Sequence, residues 1–282
     1  MAYIVAVGTS VPPYPMNQRE VRDFSRNLFA RSLPEIDRLL PVFENTGIDR
    51  RYFSKPRAWF EKDHTFEEKN QAFVEMACRL GKEAIEQCLS RSGVSVHEID
   101  HLIFVSTTGL ATPSIDAHLI QQLGMKPHVH RTPIWGLGCA GGVVGLARAY
   151  DVAQADPSRK VLMVAVECCS LTFRRKDLSK RNLVATSLFA DGAAAVLVVG
   201  DQVMENQSFA GPEIVGSMST IFPSSLDVMG WEVAEDGLQV VFSKDIPSIV
   251  RKHINPLVRK FVDQQQIRFH EIEAYITHPG GA

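Results

Sequence analysis

The chain has 282 residues, 45% hydrophobic and 22% charged, with 30 Lys+Arg against 32 Asp+Glu and a net charge of −2. That balance excludes the basic footprint of a nucleic-acid or anionic-membrane binder, and the length admits about two domains at roughly 150 residues each. Apolar runs such as 161–166 and 193–199 fall far short of the ~20 residues of a membrane span, and residues 1–8 lack a secretory leader, so a cytoplasmic enzyme is expected.

Residues 3–7 read as a strand that ends in a turn over 8–13. Residues 70–89 read as a helix with Phe73, Ala77, Leu80, Ala84 and Cys88 on one face, stopped by 90–93. A strand over 101–105 precedes the polar loop 106–109, and 113–123 reads as a helix with Pro113 in its first turn and Gly124 beyond its end. Residues 133–135 lead through 136–142 into a helix over 143–155. The runs 161–167 and 193–199 lack polar alternation, as strands buried on both faces do. A long helix over 245–264 carries Pro247 near its start and Pro256 at a bend, and 273–277 reads as a last strand. Strands alternating with helices imply an α/β fold with mostly parallel central strands.

Five cysteines occur, Cys78, Cys88, Cys139, Cys168 and Cys169, with no CxxC pair, and the nine histidines show no HExxH spacing. Neither a disulfide framework nor a structural metal is expected. The most informative segment is Trp135-Gly-Leu-Gly-Cys139-Ala-Gly-Gly, which places a cysteine between a strand and a helix among glycines. Glycine permits a strained turn and close substrate approach. The helix after the turn points unpaired N–H groups and its positive end at the sulfur, an arrangement that lowers a thiol pKa and supports an acyl oxyanion. From spacing alone, a small buried cysteine accounts for Cys139 equally well. The glycine spacing fits neither GxGxxG nor a P-loop, which weighs against a nucleotide site.

Four motifs occur in order: Gly138-Cys139-Ala140-Gly141-Gly142; Val166-Glu167-Cys-Cys-Ser-Leu-Thr172-Phe173; Leu188-Phe189-Ala190-Asp191-Gly192-Ala193; and His278-Pro279-Gly280-Gly281. In combination they resemble the type III polyketide synthases, the chalcone and stilbene synthase family of the thiolase superfamily, from the first strand to the last residue. The short loops are most similar to bacterial members such as alkylpyrone synthases. The resemblance implies a thiolase-like layered α/β fold. It also implies decarboxylative Claisen condensation of an acyl-CoA starter with malonyl-CoA, giving a pyrone-type product in a homodimer, with no cofactor beyond the CoA thioesters. It assigns Cys139 as the nucleophile that accepts the acyl group, and His278 as the group that stabilises the thiolate and polarises the malonyl thioester. Phe189 matches a gatekeeper aromatic, and an ordinary core phenylalanine is the alternative. The second gatekeeper position falls on Val240, with Phe242 nearby. Thr108, Thr112, Cys169, Thr172, Ala185 and Gly230 match pocket-lining positions, and Arg38 matches a CoA-phosphate contact by position.

The sequence ends four residues after His278, before the position of the family's catalytic asparagine. The expected division is therefore a complete N-terminal half over 1–225 and an incomplete C-terminal half over 226–282. Two other readings stand beside the synthase: a condensing enzyme like ketoacyl synthase III, which Thr46-Gly47-Ile48 and Arg51 also suit, and a truncated, inactive subunit that only dimerises.

Overall fold

The computed structural model describes residues 1–207, 209–278 and 280. In chain order the first elements are β1 (Ala2–Ser10), β2 (Tyr14–Asn17), α1 (Gln18–Phe29), α2 (Ile36–Leu39), α3 (Pro41–Asn45), β3 (Arg50–Phe53), α4 (Arg57–Phe60) and α5 (Phe66–Ser92). They are followed by β4 (His101–Ser106), α6 (Ile115–Leu123), β5 (His130–Trp135), α7 (Gly141–Ala155), β6 (Lys160–Cys168), α8 (Lys180–Leu188) and β7 (Asp191–Gly200). The remainder comprises α9 (Asp201–Gln207), the hairpin β8 (Met229–Ala234) and β9 (Gly237–Phe242), and α10 (Ile246–Gln264).

Five strands form one sheet in the order β1-β7-β6-β4-β5. Alternate side chains leave its two faces, so one strand feeds two cores. Leu102, Phe104, Leu162, Val164, Val166 and Leu197 pack toward α5, whereas Ile103, Val105, Val161, Met163 and Val198 pack with Ala149 and Ala153 of α7. A third cluster joins Val21, Phe29, Phe43, Phe53, Phe60 and Leu183 beneath the N-terminal helices. Gly8 marks the tightest approach of β1 to α5: a Cβ there would stand 2.1 Å from the Ala84 carbonyl oxygen and 2.4 Å from the Cys88 nitrogen.

The sheet is mixed: β1, β4, β5 and β6 run in one direction, as mostly parallel strands were expected to, and β7 alone is reversed. β4 pairs in parallel with β5 and β6, but β7 is antiparallel to both β6 and β1. Cys168 at the end of β6 pairs with Asp191 at the start of β7, so the connection between them stays at one end of the sheet and never crosses it. The helix read over 70–89 is longer at both ends. Thr65 and Glu68 form a reciprocal capping box at its start, and Gly93 closes it in the left-handed conformation. The expected strand over 273–277 is irregular instead, with Tyr275 and Ile276 exposed and no ladder partner among the described residues. Without a partner, extended backbone makes no sheet.

Candidate active site

The C-terminal ends of the parallel strands are where open α/β sheets bind ligands, and here they carry the reactive side chains. β4 delivers Thr107 and Thr108. β5 runs through Gly136 and Gly138, both with positive φ, into a 3-10 turn over Gly138–Ala140 that bears Cys139 and passes straight into α7. The φ of +53° at Gly138 is the conformation that only glycine adopts freely. Its N–H donates to Thr107 Oγ1 at 3.0 Å, tying the turn to the β4 loop.

Cys139 is exposed as a residue, yet its thiol is pushed above the ordinary value by desolvation of the sulfur and then by the negative charge of Glu167; its own backbone N–H opposes them. The spacing around Cys139 did not place this carboxylate beside it. Glu167 accepts from Thr108 Oγ1 at 2.7 Å and from the Thr107 N–H at 3.1 Å, with Ser106 Oγ at 3.5 Å. Burial raises its pKa against those bonds. A glutamate at the end of an otherwise apolar strand run was the available signal for it.

Against the 3-10 turn Cys169–Thr172 lies an open cleft of about 710 Å³, counted with the solvent space at its mouth, with a predominantly aromatic and aliphatic lining. Phe24, Phe53, Phe60, Phe173, Phe189 and Trp231 form its aromatic wall, and Leu238 and Val240 enter from β9. Of the residues singled out in the sequence, Cys169, Thr172, Ala185, Phe189 and Val240 line this space together. Thr108 and Thr172 line a smaller neighbouring cavity of about 220 Å³. Thr112 and Gly230 are exposed and line neither, and Arg38 is exposed on α2. Where Gly230 was expected, the next residue, Trp231, faces the cavity because side chains alternate along β8. Burial pushes the Cys169 thiol well up, as suits a lining residue.

His278 is exposed, and no hydrogen bond or ion pair joins its ring to Cys139 among the described residues. Of the motif that follows it, only Gly280 is described; Pro279 and Gly281 lie outside the described residues.

Phe189 sits where three elements meet. Its ring lies 5.7 Å from Trp231 and 5.7 Å from Phe242, so two hairpin aromatics flank it while the aliphatic Val240 faces the cavity. Its backbone is anchored by Arg51, whose Nη1 donates to the carbonyls of Thr186 at 2.8 Å and Phe189 at 2.7 Å. Burial lowers the Arg51 pKa to about 10, opposed by the charge of Asp191. Asp191 in turn accepts from the backbone N–H and hydroxyl of both Ser54 and Ser170, joining the end of β3 to the 3-10 turn Cys169–Thr172.

Among the described residues, no group of three or more His, Cys, Asp or Glu side chains is placed to hold a metal ion, and no helix is long and apolar enough to cross a membrane.

Comparison with known proteins assigns the architecture. Residues 1–202 match the profile of the chalcone and stilbene synthase N-terminal domain. The chain belongs to the chalcone and stilbene synthase family. This type III polyketide synthase is 42% identical over its whole length to a Bacillus subtilis protein provisionally named a chalcone synthase, covering 79% of that protein. It is 33% identical to the 1,3,6,8-tetrahydroxynaphthalene synthase of Streptomyces peucetius, with 99% of this chain and 73% of that one aligned. The crystal structure of the Streptomyces coelicolor tetrahydroxynaphthalene synthase, a bacterial type III polyketide synthase, superposes with a TM-score of 0.91 over 99% of this chain and 78% of that chain, at 27% identity. The fold is thus thiolase-like, and the chain is an acyltransferase of the polyketide-forming class.

Proposed function

We propose that this synthase loads an acyl group from an acyl-CoA starter onto Cys139 and extends it with malonyl-CoA to a pyrone-type product, working as a cytoplasmic homodimer. In the first step Cys139 Sγ attacks the thioester carbonyl and CoA leaves as the thiol, carrying the cysteine proton. Malonyl-CoA then loses CO2. The C2 of the resulting enolate attacks the Cys139 thioester, forming a carbon–carbon bond and expelling the Cys139 thiolate. The carboxylate that leaves supplies the electron pair, so the condensation requires no cofactor beyond the CoA thioesters.

The observation that carries this reading is the position of Cys139: exposed, at the start of α7, and close enough to Cys169, which lines the apolar cavity, for their charges to interact. The backbone N–H directed at its sulfur is available to a developing oxyanion. A raised thiol pKa calls for a partner that takes the proton or supplies positive charge, and His278 fills that role once substrate is bound. Phe189, between the cavity and the hairpin aromatics, sits beside the malonyl carboxylate and favours its loss. The exposed apolar side chains Leu110, Trp135, Leu137 and Val143 around the edge strand β5 favour a dimer. The N-terminal half (1–225) carries the nucleophile, and 226–282 begins the C-terminal half.

Intact-protein mass spectrometry after incubation with acyl-CoA starters tests the reading. One acyl mass on the wild-type chain, mapping to Cys139 and absent from Cys139→Ala, is expected. An adduct that persists on Cys139→Ala overturns it.

A further inference from the structure

The β8–β9 hairpin forms its own two-stranded sheet and makes no ladder with the main one. An isolated hairpin is marginal in water and depends on docking. β8 is largely solvent-facing, with Met229 and Val233 exposed, while Leu238 and Val240 of β9 are buried against the cavity. The hairpin is therefore a movable wall unless something fixes its far end.

The turn at that end is fixed by two cations from different parts of the chain. Arg174, which follows the Cys169–Thr172 turn and lines the cavity, donates to Asp236 Oδ1 from Nε at 2.7 Å and makes a second contact from Nη2 at 2.6 Å. Lys69, buried within α5, donates from Nζ to the Asp236 backbone carbonyl at 2.9 Å. Gly237 supplies the φ of +139° that turns the chain into β9 directly after this contact. Arg174 is itself braced: Asn182 Nδ2 donates to its carbonyl at 2.9 Å, and Asp177 faces its guanidinium at 3.5 Å. With side-chain exposures of 16% for Arg174 and 31% for Asp236, the pair is shielded enough for its charge-assisted bonds to hold a conformation.

We infer that Arg174, Asp236 and Lys69 form a clasp that positions the β8–β9 hairpin as one wall of the acyl cavity and so sets the chain length of the starter the enzyme accepts. The second half of this inference rests on the acyl-CoA reading above. With the clasp closed, Leu238, Val240 and Trp231 hold the cavity to its observed width. Opening it releases the wall and admits longer chains while gripping short ones less.

Arg174→Gln, Asp236→Asn and the double variant that combines them test this by two independent readouts. The first is native-state hydrogen exchange at the amides of residues 238–242. The second is the rate of acylation by palmitoyl-CoA relative to butyryl-CoA. Each single variant is expected to accelerate exchange by about tenfold or more, the scale of one charge-assisted bond, and to raise the palmitoyl-to-butyryl ratio several-fold. The double variant is expected to differ little from either single one in both readouts, because each already breaks the same pair. Unchanged exchange in both single variants overturns the clasp. Accelerated exchange with an unchanged ratio overturns its role in selectivity. A wild-type chain that takes no acyl group from either thioester overturns the acyl-CoA reading and with it the selectivity claim, while the exchange arm still decides the clasp.

Discussion

Replacing Asp191 by alanine tests the junction that holds the cavity together. Its fully buried carboxylate accepts the backbone N–H groups of Ser54 and Ser170, each at 2.7 Å, and both serine hydroxyls. The hydroxyls can rotate to other acceptors, but the two amides cannot move without shifting β3 or the turn after β6. An orphaned buried donor costs about 1–3 kcal/mol, so two give about 2–6 kcal/mol. Against this runs a relief: burial raises the Asp191 pKa, so part of the desolvation cost of the charge disappears with it. Arg51 loses the anion that faces it, which restores some of the penalty. The net expectation is a loss of about 2–4 kcal/mol out of a typical 5–15, against about 1 kcal/mol for Ser54→Ala or Ser170→Ala. Urea unfolding followed by circular dichroism measures all three. The pH dependence carries a sign as well. A carboxyl with a raised folded-state pKa binds its proton more tightly folded than unfolded, so its contribution is largest in acid and is lost as pH rises through the folded value. Asp191→Ala should remove that slope. A cost below that of either serine variant, or a slope unchanged by the substitution, refutes the account of this junction.

Gly8→Ala places a Cβ against the α5 backbone at 2.1 Å, where no rotamer can yield; a cost of about 3 kcal/mol is expected, read as a melting temperature roughly 6–12 °C lower. Alkylation of Cys139 by iodoacetamide should keep rising above pH 9, because its thiol lies above the ordinary value of 9.0. Glu167→Gln removes the charge that disfavours the thiolate and should move that profile to lower pH. His278→Ala should slow acylation of Cys139 and also lose about 10²–10⁴-fold in malonyl-CoA-dependent extension, measured as CO2 release. Acylation at the wild-type rate would refute the imidazole's role at the thiol.

The long elements were readable because their periodicity is strong: β4 and β6 are continuous apolar runs, and α5 repeats its inward face over several turns. The ends of α5 were signalled by Thr65, Glu68 and Gly93, residues that act through capping rather than burial. The direction of β7 left no trace in its composition, since a strand covered on both faces has the same apolar sequence either way. The hairpin carried an Asp236-Gly237 signal between alternating residues, a turn chemistry that the apolar pattern does not register. At the site, Phe189, Cys169 and Thr172, which line one cavity, could be singled out because they lie in contiguous motifs. Glu167 beside Cys139, Asp191 between two serines, and Trp231 facing Phe189 are relations between segments distant in the chain, and periodicity does not report them.

The antiparallel pairing of β1 with β7 has a consequence for biosynthesis. Ala2 pairs with Gly200, so β1 cannot be hydrogen-bonded along this edge until almost two hundred further residues have followed it from the ribosome. At about 5–20 residues per second that interval is roughly 10–40 s. Throughout it the segment Ala2–Ser10, rich in residues suited to strand pairing, presents an unmet ladder to every other nascent chain nearby. Strands β4, β5 and β6, close together in the chain, can assemble first. The sheet is thus closed last by a strand made long before its partner, and the rate at which β7 emerges sets how long a trapping chaperone must attend β1.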